Sequence, residues 1–457
     1  MTAPTLTEPD TRTANAGVLE MAPRLPYLRR ISKHPRLNHY NRLVALALAI
    51  NVGWLVYGAA AANWWTPDGA NLPAIALTAQ TNLAAAVLFR QQYVLNALAW
   101  LVTRPPTSWP LRVRWTLGKY YHFGGLHVGT AVAGTLWYLM LVVSMIRDAV
   151  AGVGEASSAH LVLGITIATT FTVMAVMALP RLRAVRHDRF EVTHRFCGWA
   201  ALVLVWINTM LIVDGGRGDR SFGSALLTAP AFWLVVLSAL LAIWPWLLLR
   251  RVPVTCERPS SHAVILHLEH GTVPAVGTTR PISRRPFVGW HHFANVPAAP
   301  GTGGYRMLVS RAGDWTAALI DEPPTQVWVR GIPTVGVANV RKLFTKVVLV
   351  ATGSGIGPVL GHLLDTSVPS RLVWVTKNPR LTYGDAFVDE IEAAQPDALI
   401  WDTGALGQPD VLQLANAAYV ESGAEAVICV SNRTVTWQVV HGLERCGIPA
   451  FGPIWDS

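Results

Sequence analysis

The sequence predicts a membrane α-helical bundle of six helices, followed by a small antiparallel β-barrel and an α/β parallel-sheet nucleotide domain. Three observations predict it. The 457 residues are 52% hydrophobic and only 14% charged, with a mean hydropathy of +0.35, where soluble chains carry about 25% charge. Six apolar runs, each near the roughly 20 residues that cross a bilayer, fall at 43–62, 72–90, 121–146, 159–179, 194–213 and 224–249. Beyond Val252 the pattern changes to short β-type runs, and beyond Lys346 to a strand–loop–helix rhythm.

Taken in order, the first 24 residues are rich in Thr, Ala and Pro with no apolar core. They read as the start of a disordered, basic cytosolic segment, 1–42, and lack the h-region of a signal peptide. The helical bundle is assigned to 43–251. Its orientation follows the arginine and lysine count. Arg29, Arg30, Lys33, Arg36 and Arg42 precede the first run; Arg104, Arg112, Arg114 and Lys119 separate the second and third. Arg181, Arg183, Arg186, Arg189 and Arg195 separate the fourth and fifth, and Arg250 and Arg251 follow the sixth. The alternate loops are poor in both cations, so the bundle is expected in the plasma (inner) membrane with both termini cytoplasmic. The formal net charge of +10 is thereby assigned to topology, and no nucleic-acid partner is expected. Cys197, Cys256, Cys429 and Cys446 are scattered without a CxxC pair, which excludes a cysteine metal site or a disulfide framework from this reading.

Runs such as "HAVILHLE", "YRMLVS" and "TQVWVRG" between Gly- and Pro-rich turns predict a barrel over 252–340. The strands "KVVLVAT", "RLVWVTK", "DALIWDT" and "EAVICVS" alternate with helical stretches over 341–457, the pattern of a parallel sheet covered on both faces. The first of these strands runs into "TGSGIGP". Thr352, Gly353, Ser354, Gly355, Ile356, Gly357 and Pro358 thus form a glycine loop opening a helix. Backbone N–H groups and a helix N-terminus there suit a pyrophosphate.

The order barrel, glycine loop, α/β domain resembles the ferredoxin–NADP reductase superfamily, and within it the membrane branch of ferric reductases and NADPH oxidases. In "GWHHFAN", Trp290, His291 and Phe293 match that branch's flavin motif, while His292 replaces its proline and Ala294 its hydroxyl. "VSRAGDWTAAL" matches its Gly-Asp-Trp-Thr segment through Gly313, Asp314, Trp315 and Thr316, and "VRGIPTVGV" its glycine-proline turn through Gly331, Pro333 and Gly336. The resemblance implies bound FAD and a nicotinamide cofactor, NADPH or NADH. Lys377 and Arg380 follow the second strand, where an adenine ribose would lie, and two cations there favour NADPH. Trp455 matches the terminal aromatic that stacks on flavin. The family's Cys-Gly-Pro is replaced by "CVSN", which removes the expected thiol assistance.

The same branch stacks two haems between paired histidines about thirteen residues apart on two helices, close to 20 Å along the axis. This chain offers half of that set. His127, or His122 five residues earlier, opens the third helix, and His194 opens the fifth; Met140, Leu141, Ile207 and Asn208 stand where outer ligands belong. The resemblance therefore implies at most one haem b, held by His127 and His194. The segment "RQQYVLNALAWLVTRPPTSWPLRVRWTLGKYYHFGGLH" also resembles membrane reductase-like proteins lacking the full histidine set, some fused to biosynthetic adenylating enzymes. The resulting expectation is an integral-membrane flavoprotein oxidoreductase passing electrons from NAD(P)H via FAD to an unknown small-molecule acceptor. The rival is a non-catalytic membrane sensor with a degenerate reductase fold.

Overall fold

The computed structural model describes residues 20–153, 157–298 and 304–453. The chain divides into two compact units. Of the described residues, one unit comprises those of 39–95 and 122–248 and the other those of 20–38, 96–121 and 249–453.

The first unit is helical. Its elements are α1 His39–Ala60, α2 Leu72–Leu88, α5 Gly124–Ala151, α6 Ser158–Met177, α7 His187–Gly215, α8 Phe222–Thr228 and α9 Pro230–Leu247. Between α2 and α5 the chain forms α3 Gln92–Val102 and α4 Leu111–Leu117. Among the described residues five helices are long and apolar enough to cross a membrane, with a sixth if α2 and α3 are taken as one bent span. Helix starts obey capping chemistry: the Asn71 side chain accepts the Ala74 N–H, and Ser157 accepts that of His160. Small residues set the closest helix contact. A Cβ on Gly125 would lie 2.3 Å from the Tyr40 carbonyl oxygen, and one on Gly129 2.7 Å from Ala47 Cβ. The Gly125–Gly129–Ala133 stripe is thus already filled at its first two positions by α1, the close approach that small-xxx-small spacing permits.

The second unit begins with an eight-stranded antiparallel sheet rolled nearly into a barrel. Its strands are β1 Arg250–Glu257, β2 Ala263–Leu268, β3 Thr278–Ser283, β4 His291–Ala294, β5 Val296–Pro297, β6 Tyr305–Ser310, β7 Gln326–Val329 and β8 Thr334–Val335, in the order β8-β3-β7-β1-β2-β6-β5, with β4 paired to β3. Val252, Val254, Leu266, Ile282, Met307 and Val327 fill the interior under the helix α10 Asp314–Asp321. A five-stranded parallel sheet follows: β9 Val347–Thr352, β10 Ser370–Thr376, β11 Leu399–Asp402, β12 Ala426–Val430 and β13 Ala450–Phe451, in the order β11-β10-β9-β12-β13. Helices α11 Ile356–Leu364, α12 Asp385–Ala394, α13 Val411–Ser422 and α14 Arg433–Glu444 connect it. The central strand β9 is wholly buried over Val347–Ala351, as a parallel strand covered on both faces must be.

Two expectations are corrected here. Residues 20–42 are not a disordered tail throughout: the Leu25 N–H donates to the Arg445 carbonyl, and a short helix spans Tyr27–Ile31. The stretch 1–19 lies outside the described residues. Residues 96–121, assigned to the bundle, pack instead with the barrel and parallel sheet. Asn96 brackets the barrel's edge strand, donating to the Pro333 carbonyl at 2.8 Å and accepting from the Val335 N–H at 3.0 Å. Arg114 forks onto Glu425 at 2.7 and 2.9 Å and also reaches the Leu343 carbonyl. Lys119 meets Glu444 at 2.7 Å and the Ala450 carbonyl at 2.6 Å. Both cations are nearly fully buried. They are folding contacts, so only Arg104 and Arg112 remain in that loop as topology signals.

The Arg114–Glu425 pair generates a test. The guanidinium holds the Glu425 carboxyl at about 2, against an ordinary 4.5. A depressed carboxylate stabilises the fold above its unfolded value and loses that contribution as pH falls through the folded one. The stability of this unit is expected to drop between pH 4.5 and 2, and Glu425→Gln to flatten that window. At neutral pH Arg114→Ala is expected to cost about 3 kcal/mol, because it strands a partly buried carboxylate. Urea unfolding of both variants against pH measures this.

Candidate functional site

The site in the parallel sheet begins where β9 ends. The chain enters a 3-10 turn, Gly353–Gly355, and continues directly into α11. Gly353 takes φ +48°, left-handed backbone that glycine adopts cheaply, and its carbonyl accepts the Trp374 indole N–H at 3.0 Å. Gly355 is glycine for a different reason: a Cβ there would lie 2.1 Å from the Val430 carbonyl oxygen. Gly357 has ordinary room, its nearest neighbour being Leu308 Cβ at 3.5 Å. The Ile356 N–H turns back onto Gly353. The backbone N–H groups with no helical acceptor behind them are therefore those of the turn itself. Pro358 occupies a first-turn position, where its missing donor costs nothing.

Strand order gives this loop its meaning. From β9 the chain moves outward through β10 to β11, then returns to the other side of β9 for β12 and β13. Successive crossovers leave in opposite directions at the carboxyl ends of β9 and β12, which opens a crevice, the usual ligand site of such sheets. Thr352 and Ser431 stand at those two ends and share a hydrogen bond between their hydroxyls. Asn432 caps α14 by accepting the Val435 N–H at 3.0 Å. Ser431 and Asn432 were not singled out from the sequence, although their position just past "AVICV" marks a strand end. Cys429 sits inside β12 opposite Val350, fully buried, and burial pushes its thiol up to about 12. It lies in the sheet interior, two residues before the hydroxyl at the crevice.

The two cations proposed to read a 2′-phosphate part company. Lys377 is exposed just past β10. Arg380 is bound to Asp389 at 2.7 Å, Glu392 at 2.8 Å and Asp385 at 3.3 Å. Its guanidinium, nearly half exposed, is thus ion-paired with the acidic face of α12. The signal was present in the spacing: Asp385, Asp389 and Glu392 recur at one helical face.

In the barrel, Trp315 gathers the flavin-motif residues. Its ring lies 4.2 Å from that of His291 and stacks at 6.0 Å and 22° on Phe293. Arg330 lies over Trp290 at 4.6 Å, next to Gly331 in left-handed backbone at φ +64°. Thr316 closes the start of α10, its Oγ1 accepting the N–H groups of Ala312 and Gly313 at 2.8 and 3.1 Å. Asp314 lies in the first turn, where a carboxylate suits the helix dipole. A Cβ on Gly313 would meet open space. An aromatic face of this kind fits an isoalloxazine, and the β9–β12 crevice fits a nicotinamide nucleotide. Trp455 lies outside the described residues.

In the helical unit, the His127 Nδ1–H donates to the Ala86 carbonyl at 2.9 Å, which leaves Nε2 as the electron-pair donor. His194 Nδ1 is buried without a hydrogen-bond partner, its ring 5.3 Å from Phe190. His122 is engaged elsewhere: its Nδ1 accepts the Tyr40 N–H at 3.2 Å. Among the described residues no cluster of three or more His, Cys, Asp or Glu forms a metal site.

Comparison with known proteins follows these features. Residues 337–457 match the family model of the C-terminal domain of adenylate-forming reductase 03009. Adenylate-forming reductases 03009 and 06235 of Coprinopsis cinerea are each 39% identical over 432 residues, covering 93% of this chain. The chain spans 41% of the length of each. Among solved structures, a ferredoxin NADP+ reductase from Neisseria gonorrhoeae aligns at a TM-score of 0.38 with 13% identity, over 45% of this chain and 98% of its own. One from Plasmodium falciparum aligns at 0.35 with 9% identity, over 45% and 95%. Overlaps that loose assign no fold; the two sheet orders described above do.

The different reasons for the glycines can be separated. Gly355→Ala is expected to destabilise the unit by about 2 kcal/mol or more, since neither the Val430 carbonyl nor the loop can yield. Gly357→Ala is expected to be neutral or slightly stabilising, through helix propensity. Thermal unfolding of the two variants makes the comparison.

Proposed function

We propose that this chain is an integral-membrane flavoprotein oxidoreductase that takes reducing equivalents from NADPH or NADH through FAD to a small-molecule acceptor. The observation that carries the reading is the crevice at the carboxyl ends of β9 and β12, where the glycine turn, Thr352 and Ser431 converge. The similarity to proteins named adenylate-forming reductases, over nearly all of this chain, supports the reductive half of their name. The adenylate-forming half is not part of the proposal.

In this reading the backbone of Gly353–Gly355 receives the nucleotide diphosphate, and the Thr352 and Ser431 hydroxyls orient the nicotinamide carboxamide. His291, Phe293 and Trp315 flank the flavin ring, while the Gly331 turn faces its phosphates. A flavin bound there supplies conversion of a two-electron hydride into electrons for the acceptor. The apolar helices support placement in a lipid bilayer, and both termini are cytoplasmic if α2 and α3 together make the sixth crossing. His127 and His194 are the imidazole donors for at most one b-type haem. Lys377 alone remains to favour the 2′-phosphate of NADPH.

A second reading, a non-catalytic membrane sensor, draws on the burial of Cys429 and the neutralised Arg380. One absorbance spectrum of the purified chain, before and after NAD(P)H, separates the two. Bound flavin that bleaches on NAD(P)H addition is expected. Flavin that NAD(P)H leaves oxidised supports the sensor.

Two variant sets sharpen this. His291→Ala with Phe293→Ala is expected to lose most of the bound flavin; retention at one per chain would remove the barrel assignment. Lys377→Ala is expected to raise the KM for NADPH several-fold with little change for NADH, and Arg380→Ala to leave the ratio of the two unaltered. A ratio changed by Arg380→Ala would restore that residue to the site.

A further inference from the structure

Beyond Leu88 the chain turns by 68° and continues as α3, Gln92–Val102. The eleven residues of α3, "QYVLNALAWLV", carry no charged side chain, and no Asp or Glu occurs between Asp68 and Asp148. At 1.5 Å per residue the helix is about 16 Å long, about half the apolar thickness of a bilayer. Tyr93, Ala97, Trp100 and Leu101 fall within one arc of about 100° on its surface. That arc faces outward: Tyr93, Trp100 and Leu101 are 45%, 58% and 62% exposed, and Ala97 is exposed beside them. Ala99, outside the arc, is buried.

Contacts at its two ends indicate what covers this face. At the start, the Gln91 side chain donates to the Leu241 carbonyl of α9 at 2.9 Å, and the Trp244 indole N–H of α9 donates to the Tyr93 hydroxyl at 3.2 Å. Trp244 stands in the last turn of α9, a helix long and apolar enough to cross a membrane, shortly before Arg250 and Arg251. The first turn of α3 is therefore level with the end of a crossing helix. Tyr and Trp, apolar in body and polar at the tip, concentrate at that depth. At the other end, the Arg104 guanidinium lies 3.9 Å over the Trp100 ring, and Arg112 is exposed farther on. An uncharged apolar face bounded by cations, with no acidic residue on the segment, complements lipid phosphates above an acyl layer.

We propose that α3 is an interfacial anchor lying along the surface of a phospholipid bilayer at the foot of α2. Tyr93, Trp100 and Leu101 sink to the acyl boundary, and Arg104 and Arg112 meet lipid phosphates. The 68° turn suits this placement, because a helix so bent from a crossing one runs nearer the membrane plane than its normal. The inference rests on the bilayer placement proposed above and on neither flavin nor nicotinamide.

The experiment is photolabelling of the full chain in phosphatidylcholine–phosphatidylglycerol nanodiscs, mapped by peptide mass spectrometry. Two phospholipid probes are compared, one with a diazirine beside the acyl carbonyl and one with it at the chain end. The shallow probe is expected to label 93–104 about fivefold more than the deep one, since an interfacial helix sinks only about 5–10 Å. Helix α1, whose Ile50 is exposed at mid-length, is expected to take the deep probe and so reports bilayer placement separately. Leu101→Glu is expected to cut shallow labelling of α3 several-fold with α1 unchanged, because a carboxylate resists the acyl layer. Deep labelling of α1 with α3 reached by neither probe overturns the inference alone and leaves the face to water or another protein. Deep labelling of α3 equal to that of α1 overturns it in favour of a helix that spans. Unchanged α3 labelling in Leu101→Glu also overturns it. No deep labelling of α1 overturns the bilayer placement and the inference with it.

Discussion

The passage of the glycine turn beneath the end of β12 is the constraint on which the nucleotide half depends. At Gly355 the backbone runs so close to the Val430 carbonyl that a single added carbon would collide with it. That contact sets how near the ends of β9 and β12 can come. It lets the Thr352 and Ser431 hydroxyls share a hydrogen bond across the gap and keeps the start of α11 at the topological switch. The Trp374 indole holds the turn from the other side through the Gly353 carbonyl. An all-apolar central strand makes this rigid, since Val347–Ala351 have no solvent face along which to shift.

Buried polarity is met to different degrees at two places in the chain. Beside the parallel sheet two buried cations are well met, although the buried His362 ring nitrogens and Arg341 Nε make no hydrogen bond. Arg114 engages two carboxylate oxygens and two carbonyls, and Lys119 a carboxylate and a carbonyl. Such groups lock the segment 96–121 against the sheet, because breaking any one bond strands a charge. In the helical unit, Gln80, Tyr138 and Asn208 are buried yet incompletely bonded. A structural cross-link would be expected to close its own network.

How much of this was legible depends on how far each signal reaches along the chain. The helices lie where the apolar runs do, because an uninterrupted run of about 20 residues has few other solutions. The parallel strands were equally plain from their length and β-branched content. "GDWT" announced a helix start whose tryptophan packs on two rings contributed by β4. Arg114 and Lys119 were misread, since their partners Glu425 and Glu444 lie more than 300 residues on and leave no local trace. The ion pairs of Arg380 were legible by contrast, since Asp385, Asp389 and Glu392 lie close by at helical spacing. The polar cluster of α2, α5, α6 and α7 was invisible, because its members lie on separate helices and only packing brings them together.

The exchange of a thiol for hydroxyls at the switch point limits the chemistry the crevice can perform. Cys429 lies inside the sheet with its thiol driven far above neutrality, so it offers no thiolate and no contact with a ligand between β9 and β12. Thr352 and Ser431 offer donors and acceptors that can hold an amide at a set angle, yet neither ionises near neutral pH. Under the proposed reading, transfer at this site therefore rests on proximity and orientation alone. That contribution is large when geometry is held tightly and is lost with displacements of about 1 Å. A crevice that works in this way needs the stiffness which the Gly355 contact and the Trp374 bond provide, and it would be damaged first by changes that loosen the turn, before any change to the hydroxyls themselves.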